Sequence, residues 1–160
     1  TMDAAFAFFN TVVSCFVSPK RLIGYEYKEG IPKHARTMVV VPTLITSRDS
    51  IDEQVRNLEV HYLSNPKGAI HFALITDWSD ASLEETQDDL DLLHYAQKSI
   101  AKLNHRYRRD DIPLFFLLHR RRLYNASEKC WMGWERKRGK LHELNLLLRG
   151  DKNTSFYVPD

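Results

Sequence analysis

Three apolar segments of the chain each end in residues that can bind a polar ligand. The first, 38–45, contains Thr43 near its end; the second, 69–76, is followed by Asp77 and Asp80; the third, 114–118, is followed by Arg120. Guanidinium groups bind phosphate through paired hydrogen bonds, and carboxylates accept hydrogen bonds from ribose hydroxyls or base N–H groups. This combination favours a site for a nucleotide with a charged tail.

A second candidate for anion binding is the basic segment WMGWERKRGKLHELN, 131–145. Its cations surround Gly139 where a helix is predicted to begin; they are Arg136, Lys137, Arg138 and Lys140. Cations destabilise a helix N-terminus, whereas anions bind there. We therefore expect a bound anion, with a basic exposed loop as the alternative. The spacing of the glycines does not match a P-loop.

The elements that must position these residues alternate along the chain. The three apolar segments are typical of strands buried on both faces. Helical spacing separates them, with capping boxes predicted at Ser50–Glu53 and Ser82–Glu85. A last helix, with Leu141, Leu144 and Leu148 on its apolar face, is predicted to end near Gly150. The order β-α-β-α-β-loop-α predicts an α/β fold of three layers with a mostly parallel sheet.

In such a sheet, ligands bind beyond the carboxyl ends of the strands. Because parallel strands bring these ends to one edge, we expect Thr43, Asp77 and Arg120 to share a rim. Ser or Asp residues after Asp77 can cap a following helix equally well, which leaves Asp77 available for a ligand.

Composition and charge exclude several classes of protein. The chain is 43% apolar and 28% charged, with six Gly and six Pro, which is typical of a globular domain rather than a disordered, collagen-like or coiled-coil chain. Its two cysteines, Cys15 and Cys130, form no CxxC motif and favour a reducing compartment. No HxxxH or HExxH motif is present, so no metal site is predicted.

The basic block leaves a second function open. Residues 105–140 contain eleven Lys or Arg and four acids, which would suit a soluble anion- or nucleic-acid-binding α/β module. Asp77 and Asp80 on the same edge as Arg120 argue against a nucleic-acid surface. A third possibility is a domain without a ligand of its own that packs against a membrane part.

The N-terminal segment 4–17 is almost uncharged and contains four Phe. It is shorter than the roughly 20 residues that cross a bilayer, and no basic region precedes it, so a signal peptide is not predicted. A buried terminal helix and an interfacial or spanning helix both remain open, and the Phe residues favour membrane proximity. We expect an apolar helix over 1–17, a linker over 18–36 and a nucleotide-binding α/β domain over 37–160, as a fragment of a longer protein.

Five blocks of the chain in one order resemble the glycosyltransferase region of cyclic β-1,2-glucan synthases. These are RTMVVVPT (36–43), NLEVHYLSNP (57–66), HFALITDWSDA (71–81), FFLLHRRRLYN (115–125) and WMGWERKRGKLHELNLLLRG (131–150). The resemblance implies the Rossmann-like, nucleotide-binding N-terminal half of a GT-A fold. It also implies that the full-length protein is a hexosyltransferase of the bacterial inner membrane. That enzyme would make cyclic β-1,2-glucan from UDP-glucose, with this domain on the cytoplasmic side.

The same resemblance implies roles for particular residues. Thr43 and Asp77 would hold the uridine, and Lys137, Gly139 and Lys140 would lie near the diphosphate or sugar. With Asp80 and Arg120 they complete the expected donor site. The implied partners are UDP-glucose, the growing glucan and the membrane through flanking helices, and no nucleic acid.

The resemblance also implies a divalent cation, Mg or Mn, for the full-length enzyme. The Asp-x-Asp motif that binds this ion in the family is not matched here, because Asp89-Leu90-Asp91 falls inside a predicted helix. Since the ion neutralises the leaving diphosphate in such chemistry, we expect this chain alone to bind no cation and to be inactive.

Overall fold

The computed structural model describes residues 2–17, 24, 26–108 and 112–157. Its helices are α1 (Met2–Phe16), α2 (Arg48–Ser64), α3 (Asp89–Arg106) and α4 (Arg136–Leu148). Its strands are β1 (Thr37–Ile45), β2 (Ile70–Trp78), β3 (Phe115–His119), β4 (Leu123–Asn125) and β5 (Cys130–Met132).

The main sheet has the order β1-β2-β3, and both pairings are parallel. The predicted α/β fold with a mostly parallel sheet is confirmed. Thr43 pairs with Thr76, which pairs with His119, so the three strands end together. This register brings Thr43, Asp77 and Arg120 to the same end of the sheet.

Helices cover both faces of the sheet. On one face α2 and α3 pack through Leu58 and Ile100 against Phe72 and Phe115. On the other face, Leu144 of α4 and Phe156 pack against the β2 residue Ile75. Strand β2 lies at the centre of the sheet and is covered on both faces, which explains why its sequence is a continuous apolar run.

Two predicted helix starts are wrong. Helix α2 is capped by Ser47, whose hydroxyl accepts from Ser50 N, so the Ser50–Glu53 box is not its start. Helix α3 begins at Asp89 rather than after Ser82. Here the Asp89 carboxylate accepts from Thr86 N, and tertiary contacts to the loop before it replace local capping.

The C-terminal third differs from the prediction in two details. The antiparallel β4–β5 hairpin was not predicted, because each strand has only three residues. Leu148, expected on the buried face of the last helix, is exposed, since α4 packs through Leu141, Leu144 and Leu147 instead.

Helix α1 has no buried residue, and its Phe side chains are exposed. Among the described residues, no helix combines the length and apolar character needed to cross a bilayer. Of the predicted linker, 18–23 and 25 lie outside the described residues; the rest includes a 3-10 turn at Lys33–Ala35. Membrane proximity of the N-terminal segment stays a prediction.

Candidate functional site

A cavity of about 210 Å³ opens at the carboxyl edge of the sheet. It lies between the ends of β1 and β2, the turn before α4 and the first residues of that helix. Its lining residues are Pro42, Thr43, Leu44, Asp77, Trp78, Asp80, Gly133, Arg136, Lys137 and Lys140. Five of the seven residues predicted for the donor site therefore line one cavity; the other two, Arg120 and Gly139, do not.

Arg120 lies behind the cavity rather than in it. Its side chain is completely buried, and its Nε and Nη2 donate to the two carboxylate oxygens of Asp77 at 2.7 and 3.0 Å. Nη1 donates to Glu143 at 2.7 Å, and Nη2 also donates to the carbonyls of Trp134 and Arg136. Arg120 thus orients Asp77 and fixes the turn before α4, where sequence reasoning expected a group facing phosphate.

Lys140 joins β1 to the floor of the cavity. Its Nζ lies 2.5 Å from the carbonyl oxygen of Thr43 and 3.1 Å from Oδ2 of Asp77. Burial lowers the pKa of Lys140, and the Asp77 carboxylate opposes this shift. The side chain is nearly inaccessible to solvent yet lines the cavity, so it can donate a further hydrogen bond to a ligand.

Two glycines allow this close packing. A Cβ on Gly133 would lie 2.7 Å from Cγ of Asp77 and 3.0 Å from Nη2 of Arg120. A Cβ on Gly139 would lie 2.0 Å from the carbonyl oxygen of Trp134, so this glycine allows α4 to pack closely on the preceding turn. A place for Gly139 near the diphosphate or sugar stays a prediction. No role was predicted for Gly133 from the sequence, although its position between two Trp residues could have indicated close packing.

A rim of charged side chains surrounds the mouth of the cavity. Arg136 Nη2 lies 2.8 Å from Oδ2 of Asp80 and 3.3 Å from Oε2 of Glu128. Lys137 lines the cavity and makes no ion pair with any residue that the structure describes. With Lys140 at the floor, these side chains give the cavity three cations.

Glu143 extends the buried network to the C-terminal segment 151–157. While Oε1 accepts from Arg120, Oε2 accepts from Ser155 N at 2.8 Å and Ser155 Oγ at 2.7 Å. Burial alone would raise the pKa of Glu143, but the hydrogen bonds from Ser155 and Arg120 outweigh it and lower that pKa. Sequence reasoning missed Glu143, since its partners lie far away along the chain.

The chain is 62% identical over 154 residues to the cyclic beta-(1,2)-glucan synthase NdvB of Rhizobium meliloti (strain 1021). The predicted resemblance is confirmed. The alignment covers 96% of this chain but only 5% of NdvB. No protein-family model matches the chain.

The described residues do not fit the divalent cation that we expect from the family resemblance. Oxygen atoms of Asp80 and Glu128 and the sulfur of Cys130 lie within 4.8 Å of one another. The guanidinium group of Arg136 already bonds both carboxylates, and a thiolate is a poor ligand for Mg²⁺ or Mn²⁺.

His119 is buried beside the site. Its Nδ1 shares a 2.7 Å hydrogen bond with Thr76 Oγ1, and its ring lies between Trp78 and Tyr157. Nε2 has no hydrogen-bond partner among the described residues. Burial lowers the pKa of His119 to about 4, so the ring is neutral at neutral pH.

Proposed function

We propose that this chain is the nucleotide-sugar-binding part of a cyclic β-1,2-glucan synthase and binds UDP-glucose through the uracil base. The carboxylate of Asp77, held at the floor of the cavity by Arg120 with Lys140 beside it, carries the proposal. The 62% identity to NdvB supports it, and because the chain spans about one-twentieth of that protein, the activity of the whole is proposed here as well.

The donors and acceptors on the floor match uracil. A carboxylate has about four lone-pair positions; Arg120 takes two of those on Asp77 and Lys140 takes a third. The remaining one can accept the N3–H of uracil, while Lys140 can donate to a neighbouring carbonyl oxygen. Cytosine presents an acceptor at N3, which the carboxylate would repel.

The charged rim suits the rest of the nucleotide. Lys137 faces no carboxylate partner among the described residues, and we assign it to the diphosphate. We place the backbone of Thr43, which lines the cavity, beside the base. The carboxylates of Asp77 and Asp80 within the cavity disfavour nucleic acid. The same proposal has a part that concerns the full-length protein. It includes hexosyl transfer to the growing glucan, the GT-A fold, a divalent cation and a location on the cytoplasmic side of the bacterial inner membrane. The chain alone would bind donor without turnover.

Isothermal titration calorimetry with UDP, UDP-glucose and CDP tests the proposal on the unsubstituted chain. We expect UDP and UDP-glucose to bind and CDP to bind at least about tenfold more weakly, because one buried charged hydrogen bond becomes repulsive. Equal affinity for UDP and CDP, or no response at millimolar UDP, would refute it.

Asp77→Asn provides the matching substitution. It leaves Lys140 without its buried counter-charge and Arg120 with Glu143 as its remaining one, so its folding is checked first by circular dichroism. In folded protein we expect the preference for UDP over CDP to disappear. Asp91→Asn, at an exposed position of α3, is the control and should retain it.

A further inference from the structure

We infer that Arg136 is a displaceable latch on the cavity: it pairs with Asp80 and Glu128 and transfers to the diphosphate when a nucleotide binds. This inference rests on the proposed function. It assigns a diphosphate contact to Arg136, which belongs to the basic segment but not to the seven residues expected for the donor site, and it gives Asp80 the role of counter-ion rather than ligand.

The backbone of Arg136 is fixed while its side chain is free to move. Its carbonyl oxygen accepts from Nη2 of the fully buried Arg120 at 3.2 Å, and its N–H donates to the carbonyl of Gly133 at 3.0 Å. The side chain is 60% exposed and lines the cavity. A long side chain on an anchored backbone can change partner without any movement of the fold.

The turn is held in a conformation that is costly for these residues. Arg136 has a φ of 47° and Glu135 a φ of 51°, both in the left-handed region. Such a conformation in a residue other than glycine persists where surrounding contacts impose it. Arg120 donates hydrogen bonds to the carbonyl oxygens of Trp134 and Arg136, and these bonds are the contacts that impose the conformation. They also keep Arg136 at the mouth of the cavity.

The present partners of Arg136 hold it weakly. Asp80 and Glu128 are 36% and 51% exposed, and ion pairs between exposed side chains contribute little because water screens them. A diphosphate offers several charged oxygens to a guanidinium group in a paired geometry. Exchange of partners is therefore favourable once a diphosphate enters the cavity.

The balance of charge in the cavity points the same way. Its lining contains two carboxylates, Asp77 and Asp80, and three cations, Arg136, Lys137 and Lys140. The buried Arg120 already neutralises Asp77 from behind. Asp80 is then the remaining carboxylate for three cations, so the cavity has an excess of positive charge. A dianionic ligand would neutralise this excess and would repel Asp80.

Calorimetric titration of Arg136→Gln with UDP and with uridine tests the latch. Gln keeps a long side chain and the same backbone preference but carries no charge. We expect the Kd for UDP to rise about tenfold and the Kd for uridine to stay unchanged, because uridine has no phosphate. Asp80→Asn, which removes the competing counter-ion, should lower the Kd for UDP.

Arg138→Gln is the matched control. Arg138 is exposed, pairs with Glu135 and does not line the cavity, so its substitution should leave both affinities unchanged. If the unsubstituted chain binds UDP but Arg136→Gln binds it equally well, the latch is refuted while the proposed function stands. If the unsubstituted chain binds neither UDP nor uridine, both are refuted.

Discussion

Acidification should weaken the fold through His119. Burial lowers the pKa of this ring to about 4, against an ordinary value of 6.5. The nearby carboxylates of Asp77 and Asp89 favour the charged ring, and the cations Lys140 and Arg122 disfavour it, but burial dominates. The unfolded chain therefore binds a proton below pH 6.5 that the folded protein does not bind.

The magnitude follows from linkage. Where the unfolded state binds more protons, the free energy of unfolding rises with pH, so stability is lost as pH falls from about 6.5 to about 4. One pKa unit corresponds to about 1.4 kcal/mol. The full loss is about 3 kcal/mol, and about 2 kcal/mol of it should appear between pH 7 and pH 5.

Urea denaturation followed by tryptophan fluorescence at pH 7, 6 and 5 measures this loss. His119→Asn keeps a hydrogen-bonding group for Thr76 and does not titrate, so its free energy of unfolding should change by less than about 0.5 kcal/mol over the same range. His61→Asn, at an exposed position of α2, should behave like the unsubstituted chain. An equal loss in His119→Asn and the unsubstituted chain would refute the assignment to this ring.

Two further substitutions test the buried ion pairs by urea denaturation. Gly133→Ala would place a methyl group 2.7 Å from Cγ of Asp77, so we expect it to lose about 2 kcal/mol and to weaken UDP binding. Gly24→Ala, whose added methyl group meets no atom of a described residue within 4 Å, should change neither. Arg122→Met leaves the buried Asp89 without its counter-charge and should lose about 3 kcal/mol. The same substitution should make the loop after β2 more sensitive to proteolysis, since Arg122 donates to two carbonyl oxygens in that loop. Little change in the urea denaturation or in the rate of proteolysis would contradict the role of the Arg122–Asp89 pair.

The sheet could be predicted because its strands are continuous apolar runs separated by helical patterns. Parallel order then followed from the lengths of the connections, and with it the common edge for Thr43 and Asp77. No contact between distant residues was needed for these steps. The part of the site that depends on strand order alone was therefore accessible from the sequence.

The part that depends on pairing of distant charges was not accessible. The sequence Arg120-Arg121-Arg122 does not indicate which of the guanidinium groups are buried. In the structure Arg120 and Arg122 are buried and Arg121 is exposed. The period of two in an extended segment places Arg120 and Arg122 on one side of the chain and Arg121 on the other, but it does not indicate which side is buried or what the partners are.

Local capping signals failed for a related reason. The Ser82–Glu85 pattern resembles a helix start, yet that stretch is a loop, since Arg122 donates to the carbonyls of Ser79 and Glu84 and pairs with Asp89. Burial alone would raise the pKa of Asp89, but hydrogen bonds from Arg122 and Thr86 outweigh it and lower that pKa. A tertiary ion pair, invisible in a local window, sets where α3 begins.

The single guanidinium group of Arg120 joins segments that are remote along the chain: the end of β2, the turn before α4 and, through Glu143, the strand-like stretch at Ser155. None of these segments can complete the cavity floor until all have docked. The pocket is therefore complete only when the whole domain is folded. Any ligand that needs the pocket reports on the integrity of the whole domain, and it adds its binding energy to the whole domain's stability.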